Sequence, residues 1–99
     1  MKYGFHPEAL AEYEGAALYY AARDPRVALR FIQAVEDTVR RISAAPTRWR
    51  TVEEDIRRCL LRVFPYAVLD TIERNRVLIV AVMHCSREPG YWKARKRQA

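Results

Sequence analysis

The chain has 99 residues, of which 51% are apolar and 30% charged, and its net charge is +6. That length supports one domain with a single modest core, and the balance of residue types excludes a disordered, collagenous or membrane-embedded chain. Fifteen of the basic residues are arginine and three are lysine. Guanidinium groups fork onto carboxylates and phosphates, so an acidic or polyanionic partner fits, although arginine-rich codon usage yields the same excess.

In chain order, Lys2 to Phe5 reads as a short strand with Tyr3 and Phe5 on one side. "HPEALAEYEGAALYYAA" then reads as a helix, with Pro7 at its first position and Glu8 complementing its dipole. Leu10, Tyr13, Ala17 and Tyr20 make its apolar stripe. Asp24 and Pro25 are a good N-cap and first residue for a second helix, whose stripe is Ala28, Phe31, Ile32, Val35, Val39 and Ile42. Ala45-Pro46 ends it. So tight a junction predicts an antiparallel helical hairpin.

The period then changes to two. In "RRCLLRVF", Arg57 to Phe64, residues Cys59, Leu61 and Val63 alternate with Arg58, Leu60, Arg62 and Phe64. Pro65 breaks this strand, "YAVLDTIE" makes the next, and Arg74-Asn75 supplies a hairpin turn. "VLIVAVMH" is apolar enough to require cover on both faces or a central place in the sheet. The order β-α-α-β-β-β predicts an α+β domain spanning residues 1–99, a helical hairpin packed on one face of a small antiparallel sheet. Its tail, 93–99, is basic and expected to be mobile.

Cys59 and Cys85 form no CxxC pair, which argues against a zinc site or a disulfide framework and for a reducing cytoplasm. "MKYGFHPEAL" carries no apolar signal core, and the run around Val77 to Met83 is too short to span a bilayer. Three glycines leave no phosphate-cradling loop. No metal, cofactor or membrane partner is expected.

Two clusters carry chemistry. Arg58 and Arg62 share one strand face, about 13 Å apart, and Arg87 follows the last strand. Together they make a candidate anion cradle on the face the helices leave bare. Arginines on strand faces also simply discourage edge pairing, and on periodicity alone that reading prevails. The second cluster is "HCSREPGYWKAR", residues 84 to 95. His84 suits acid–base chemistry near neutral pH, or a structural hydrogen bond at the strand end. Tyr91 and Trp92 suit stacking on a base or a partner, or closing the end of the core. Closure is the expectation for Trp92 and Trp49, with Tyr91 open to either role. Glu53 to Asp55 reads as a solvated loop.

These residues, "RRCLLRVFPYAV" and "AVMHCSREPGYW" above all, resemble the RelE/ParE superfamily of toxins from bacterial type II toxin-antitoxin systems. The resemblance runs from Phe5 to Arg95. It implies the same two-helix, antiparallel-sheet fold, a cytoplasmic location and a cognate antitoxin whose acidic, amphipathic segment wraps the toxin. It also implies one of two activities. ParE-like members bind and inhibit DNA gyrase. RelE-like members cleave messenger RNA on the ribosome, and that chemistry would cast Arg62 and Arg87 as phosphate stabilisers and His84 or Tyr91 as the acid. Glu53 or Glu54 would then be the base. The acidic loop replaces the lysines of RelE itself, and Asp70, where relatives often carry a tyrosine, could pair with Arg58 or Arg62 across the open face and neutralise part of the cradle. The expected reading is therefore a ParE-like toxin acting by binding, with anion-binding residues Arg58, Arg62 and Arg87. The ribosome-dependent nuclease is the alternative, and a small basic adaptor without activity is a third reading.

Overall fold

A computed structural model describes residues 1–98, with side chains through Arg95. Strand β1 (Tyr3–Phe5) leads into helices α1 (Pro7–Arg23) and α2 (Pro25–Ala44). Strands β2 (Thr51–Glu53), β3 (Ile56–Leu60), β4 (Tyr66–Glu73) and β5 (Arg76–His84) follow, and α3 (Lys93–Gln98) ends the chain. The sheet order is β1-β5-β4-β3-β2. β1 runs parallel to β5, and every other pairing is antiparallel. This is the expected α+β architecture with one added edge strand, β2, and one added helix, α3.

The helical boundaries follow local chemistry. His6 caps α1 by accepting the Glu8 N–H at its Nδ1, 3.1 Å away, and Pro7 stands at the first helical position. Asp24 closes α1 and opens α2: its N–H donates to the Tyr20 carbonyl, and its carboxylate accepts the Arg26 N–H at 2.9 Å. One residue thus serves both helices, which forces the antiparallel hairpin. On α2 the expected stripe holds, except that Ile32 is only half-buried. On α1 the deep residues are Ala9 and Ala16, while Leu10 is exposed. Small alanines let α1 approach both α2 and β5 closely, so its face is set by space rather than by the largest apolar side chains.

Arg74 and Asn75 both take positive φ (51° and 60°) in the two-residue β4–β5 turn, the primed geometry that matches strand twist. The strand expected to run to Phe64 stops at Leu60. Val63 has φ 74°, and two short-range bonds, Phe64 N–H to the Arg62 carbonyl and Tyr66 N–H to the Phe64 carbonyl, tighten the bend. Alternation is lost there. Val63, expected inside, is 97% exposed, and Phe64 packs on the helix side with Tyr20 and Phe31.

The sheet is covered on both faces. Toward the helices, Phe31, Val35, Val39 and Ile42 pack on Cys59, Val68, Ile79 and Val82. On the other face Ile56, Leu69, Val80 and Met83 lie under Trp92, which is 5% exposed. Trp92 therefore closes the sheet as expected, and half-buried Trp49 packs on the helix-side core. The tail expected to be mobile from Lys93 instead begins as α3, with Arg95 only 9% exposed. Ala99 lies outside the described residues.

Asp70 corrects a further expectation. It does not cross the bare face to Arg58 or Arg62. It sits beside a bulge in β5, opposite Arg57 of β3, and is fully buried with neither carboxylate oxygen hydrogen-bonded within the described structure. Register sets its face: Asp70 pairs with Arg57 while Arg58 pairs with Leu69, so Asp70 lies with Val68 on the helix side of β4 and not across from the exposed arginines. Burial pushes the Asp70 carboxyl up to about 7, against a smaller opposing pull from Arg57. A carboxyl with a folded pKa above its unfolded value binds more protons when folded, so its contribution to stability is fully present below about pH 4 and is lost as pH rises through 7. Asp70→Asn is expected to stabilise the fold by up to about 4 kcal/mol at pH 8 and by little at pH 4. Urea unfolding of both proteins across this range measures it; an Asn variant less stable than wild type at pH 8 contradicts it.

Candidate functional site

On β3 the alternation sends Arg57 and Cys59 toward the helices and Ile56 and Arg58 to the opposite face. Arg58 pairs in register with Leu69 of β4. Beyond β5 the chain turns at Ser86, with the Arg87 N–H bonded to the His84 carbonyl. It then reverses at Gly90, whose φ of +79° suits a residue without a Cβ. This return lays residues 85–92 over the sheet. The result is a hollow of about 210 Å³ with Arg58, Arg87 and Glu53 on its walls and Leu69, Met83 and Trp92 beneath. Glu53 is tied to Lys93 of α3 at 2.8 Å. Two exposed guanidiniums above an apolar floor suit a partner that offers a carboxylate or phosphate beside an apolar group.

Arg62 is not part of this hollow. It lines a separate groove along α2, together with Val27, Arg30, Ala34, Asp37 and Arg41. The three-arginine cradle expected from strand periodicity is therefore two sites: Arg58 with Arg87 on one side, Arg62 on the other. The cause is the early end of β3, since the bend at Val63 carries Arg62 out of the alternation that the cradle required.

His84 lies on the helix-facing side of β5, edge-on to Tyr66 with ring centroids 5.1 Å apart. Its Nδ1 accepts the Ser86 backbone N–H at 3.1 Å and meets Ser86 Oγ at 2.7 Å. With Nδ1 occupied as an acceptor, the neutral ring carries its hydrogen on Nε2 and presents no spare lone pair for a base. Tyr91 donates its hydroxyl hydrogen to Glu12 Oε2 at 2.6 Å. Burial first, then the Glu12 carboxylate, raise its pKa well above the usual tyrosine range. Such a tightly held proton suits a structural link better than a general acid near neutral pH. Arg87 stacks on this same ring, its Cζ 4.0 Å from the centroid. The structure thus joins Arg87 to Tyr91, but leaves His84 and Arg62 on other surfaces. Glu53 is engaged by Lys93, and Asp55 accepts the Thr71 hydroxyl at 2.9 Å. No group of three or more His, Cys, Asp or Glu among the described residues could hold a metal ion.

Sequence reasoning passed over the residue that organises this end of the molecule. β1 stops pairing at Phe5, with only the His6 N–H reaching the Ile79 carbonyl beyond it, so the edge of β5 from Val80 to Val82 has no strand beside it. Glu12 of α1 and Arg95 of α3 fill the place. Glu12 Oε1 accepts the Val82 N–H at 3.1 Å, and an Arg95 terminal nitrogen donates to the Val80 carbonyl at 3.2 Å. The two side chains also pair in a fork, at 2.7 and 3.0 Å, and Glu8 adds a longer contact to Arg95 at 3.5 Å. The signal was available as glutamates one helical turn apart, Glu8 and Glu12, in a helix otherwise made to be buried. Removing one partner of so buried a pair strands the other charge. Arg95→Ala is expected to cost about 3–5 kcal/mol in denaturant unfolding, and Tyr91→Phe about 1 kcal/mol. A cost below 1 kcal/mol for Arg95→Ala contradicts this assignment.

The comparisons with known proteins agree with this architecture. A family model described as the ParE toxin of type II toxin-antitoxin system, parDE, matches residues 3–89. No curated protein matches the chain. Among solved structures, the chain is similar to one titled "Chromosomal ParDE TA system from P. aeruginosa", with a TM-score of 0.74 and 15% identity over 85% of this chain and 95% of that one. At that identity the likeness is one of fold. No helix is long and apolar enough to cross a membrane. The match to the family model extends from β1 to the Pro-Gly turn that builds the hollow, and on it the chain belongs to the ParE toxin family of type II toxin-antitoxin systems.

Proposed function

We propose that this toxin acts by binding a protein target in the cytoplasm, with DNA gyrase as that target, and that a cognate antitoxin holds it inactive. The single observation that carries the reading is the contrast around the hollow. Arg58 and Arg87 are exposed and face one apolar floor, while the groups an RNA-cleaving site needs for proton transfer are engaged elsewhere. Cleavage of RNA requires a base and an acid at the phosphate as well as cations. Binding needs only the cations and the floor.

The mechanism follows from the geometry. Arg87 is held over Tyr91, and Tyr91 is held by Glu12, so this guanidinium is partly ordered before contact. Arg58 is placed at the hollow by the pairing of its backbone with Leu69. Ordering Arg87 in advance lowers the entropy cost of gripping a carboxylate, while Leu69, Met83 and Trp92 accept an apolar neighbour. The +6 charge speeds encounter with acidic surfaces on the target and on the antitoxin alike.

Expression of the chain alone tests the reading. Induced cells are expected to filament with messenger RNA intact, and purified toxin is expected to inhibit gyrase supercoiling. Arg58→Glu with Arg87→Glu is expected to reduce that inhibition at least 100-fold while the circular dichroism spectrum is unchanged. New messenger RNA ends on ribosomes, with supercoiling unaffected, would replace this reading with the nuclease one.

A further inference from the structure

The hollow carries a carboxylate of its own. Glu53, the last residue of β2, stands on its wall with Arg58 and Arg87. A carboxylate beside two guanidiniums pairs with them unless it is held elsewhere. Here it is held elsewhere: Lys93 Nζ lies 2.8 Å from Glu53 Oε1. Among the described residues neither Arg58 nor Arg87 has a carboxylate partner, and Arg87 lies instead over the Tyr91 ring.

The placement of Lys93 is built into the turn. Gly90 takes φ +79°, and a Cβ added there would stand 2.9 Å from Lys93 Cε and 3.4 Å from its Cδ and Nζ. The lysine stem thus lies across the one residue of the 85–92 return that has no side chain. From there its ammonium reaches the end of β2. Both partners are well exposed, with side chains 60% and 45% accessible, so the pair adds little to folding stability. What it decides is where one negative charge sits.

We propose that Lys93 is a positioning residue for the hollow: it holds Glu53 on the rim, and without that hold the Glu53 carboxylate turns onto Arg58 and Arg87 and competes with an acidic ligand. A competitor within the same chain acts at high effective concentration, so even a weak contact counts. The consequence for the target rests on the reading proposed above, whereas the state of the hollow is a property of the free toxin.

Cys85 reports that state. Its free thiol is exposed on the wall of the hollow, while Cys59 is buried. Iodoacetate and iodoacetamide both alkylate a thiolate with loss of iodide, but only iodoacetate carries a carboxylate that the two guanidiniums attract. The ratio of their rates at Cys85, followed by mass spectrometry on full-length toxin, measures how free Arg58 and Arg87 are. Lys93→Gln is expected to lower the ratio about fivefold, the weight of one exposed ion pair, and Lys93→Arg to keep it within twofold. Glu53→Gln alone is expected to change it less than twofold, yet to restore it in the Lys93→Gln background. A general field effect makes the two substitutions additive instead. The proposal is overturned if Lys93→Gln leaves the ratio unchanged, or if Glu53→Gln raises it by the same factor in both backgrounds. Gyrase inhibition by the same proteins is expected to follow the ratio. A coupled ratio in a toxin that leaves supercoiling unaffected overturns the target reading and upholds the positioning role of Lys93.

Discussion

The carboxylate of Glu12 is the contact on which this end of the molecule depends. It belongs to α1, yet it accepts from the β5 backbone, from Tyr91 and from Arg95. In doing so it supplies what a longer β1 would have supplied, a partner for the open edge of the sheet. An unpaired edge invites pairing with other chains, and an inward-turned ion pair is one way to close it. The same carboxylate fixes Tyr91, over which Arg87 stacks, so a backbone requirement of β5 and the placement of the Arg87 guanidinium are met by one residue. Because Arg95 is buried in this arrangement, the chain as far as Arg95 is part of the fold.

The second organising feature is a sheet with a core on each face. The helices bury one side, and the return of residues 85–92 under Trp92 buries much of the other. What remains open on the second side is the hollow beside Arg58 and Arg87. A strand as apolar as Val77 to Met83 of β5 needs cover of this kind, which makes the Pro-Gly turn a folding element. Asp70, by contrast, sits in the helix-side interior with no hydrogen bond and a carboxyl pushed up to about 7. It is the clearest place where local chemistry opposes the fold.

Much of this architecture was legible from residue pattern. Pro7 at the start of α1, Asp24-Pro25 between the helices, the α2 stripe, the Arg74-Asn75 turn and the closing role of Trp92 all follow from short-range chemistry, and short-range chemistry is what a sequence displays. Two failures originate in where a strand ends and how it pairs. β3 ends at Leu60, ahead of the bend at Val63, so Arg62 never joins the strand face that carries Arg58. Asp70 pairs with Arg57 and not with Arg58, and an offset of one residue in pairing decides which face a side chain takes. The Glu12–Arg95 clasp was missed for a different reason. Its partners are 83 residues apart, and no periodicity connects them.

The hollow is the surface proposed to meet the target. Hydrogen–deuterium exchange of the toxin with and without purified gyrase measures this directly. Protection is expected at Ile56–Leu60 and across Cys85–Trp92, with the α1–α2 hairpin unchanged. Protection confined to the hairpin, with the strand and the Pro-Gly return exchanging as in the free toxin, would contradict it.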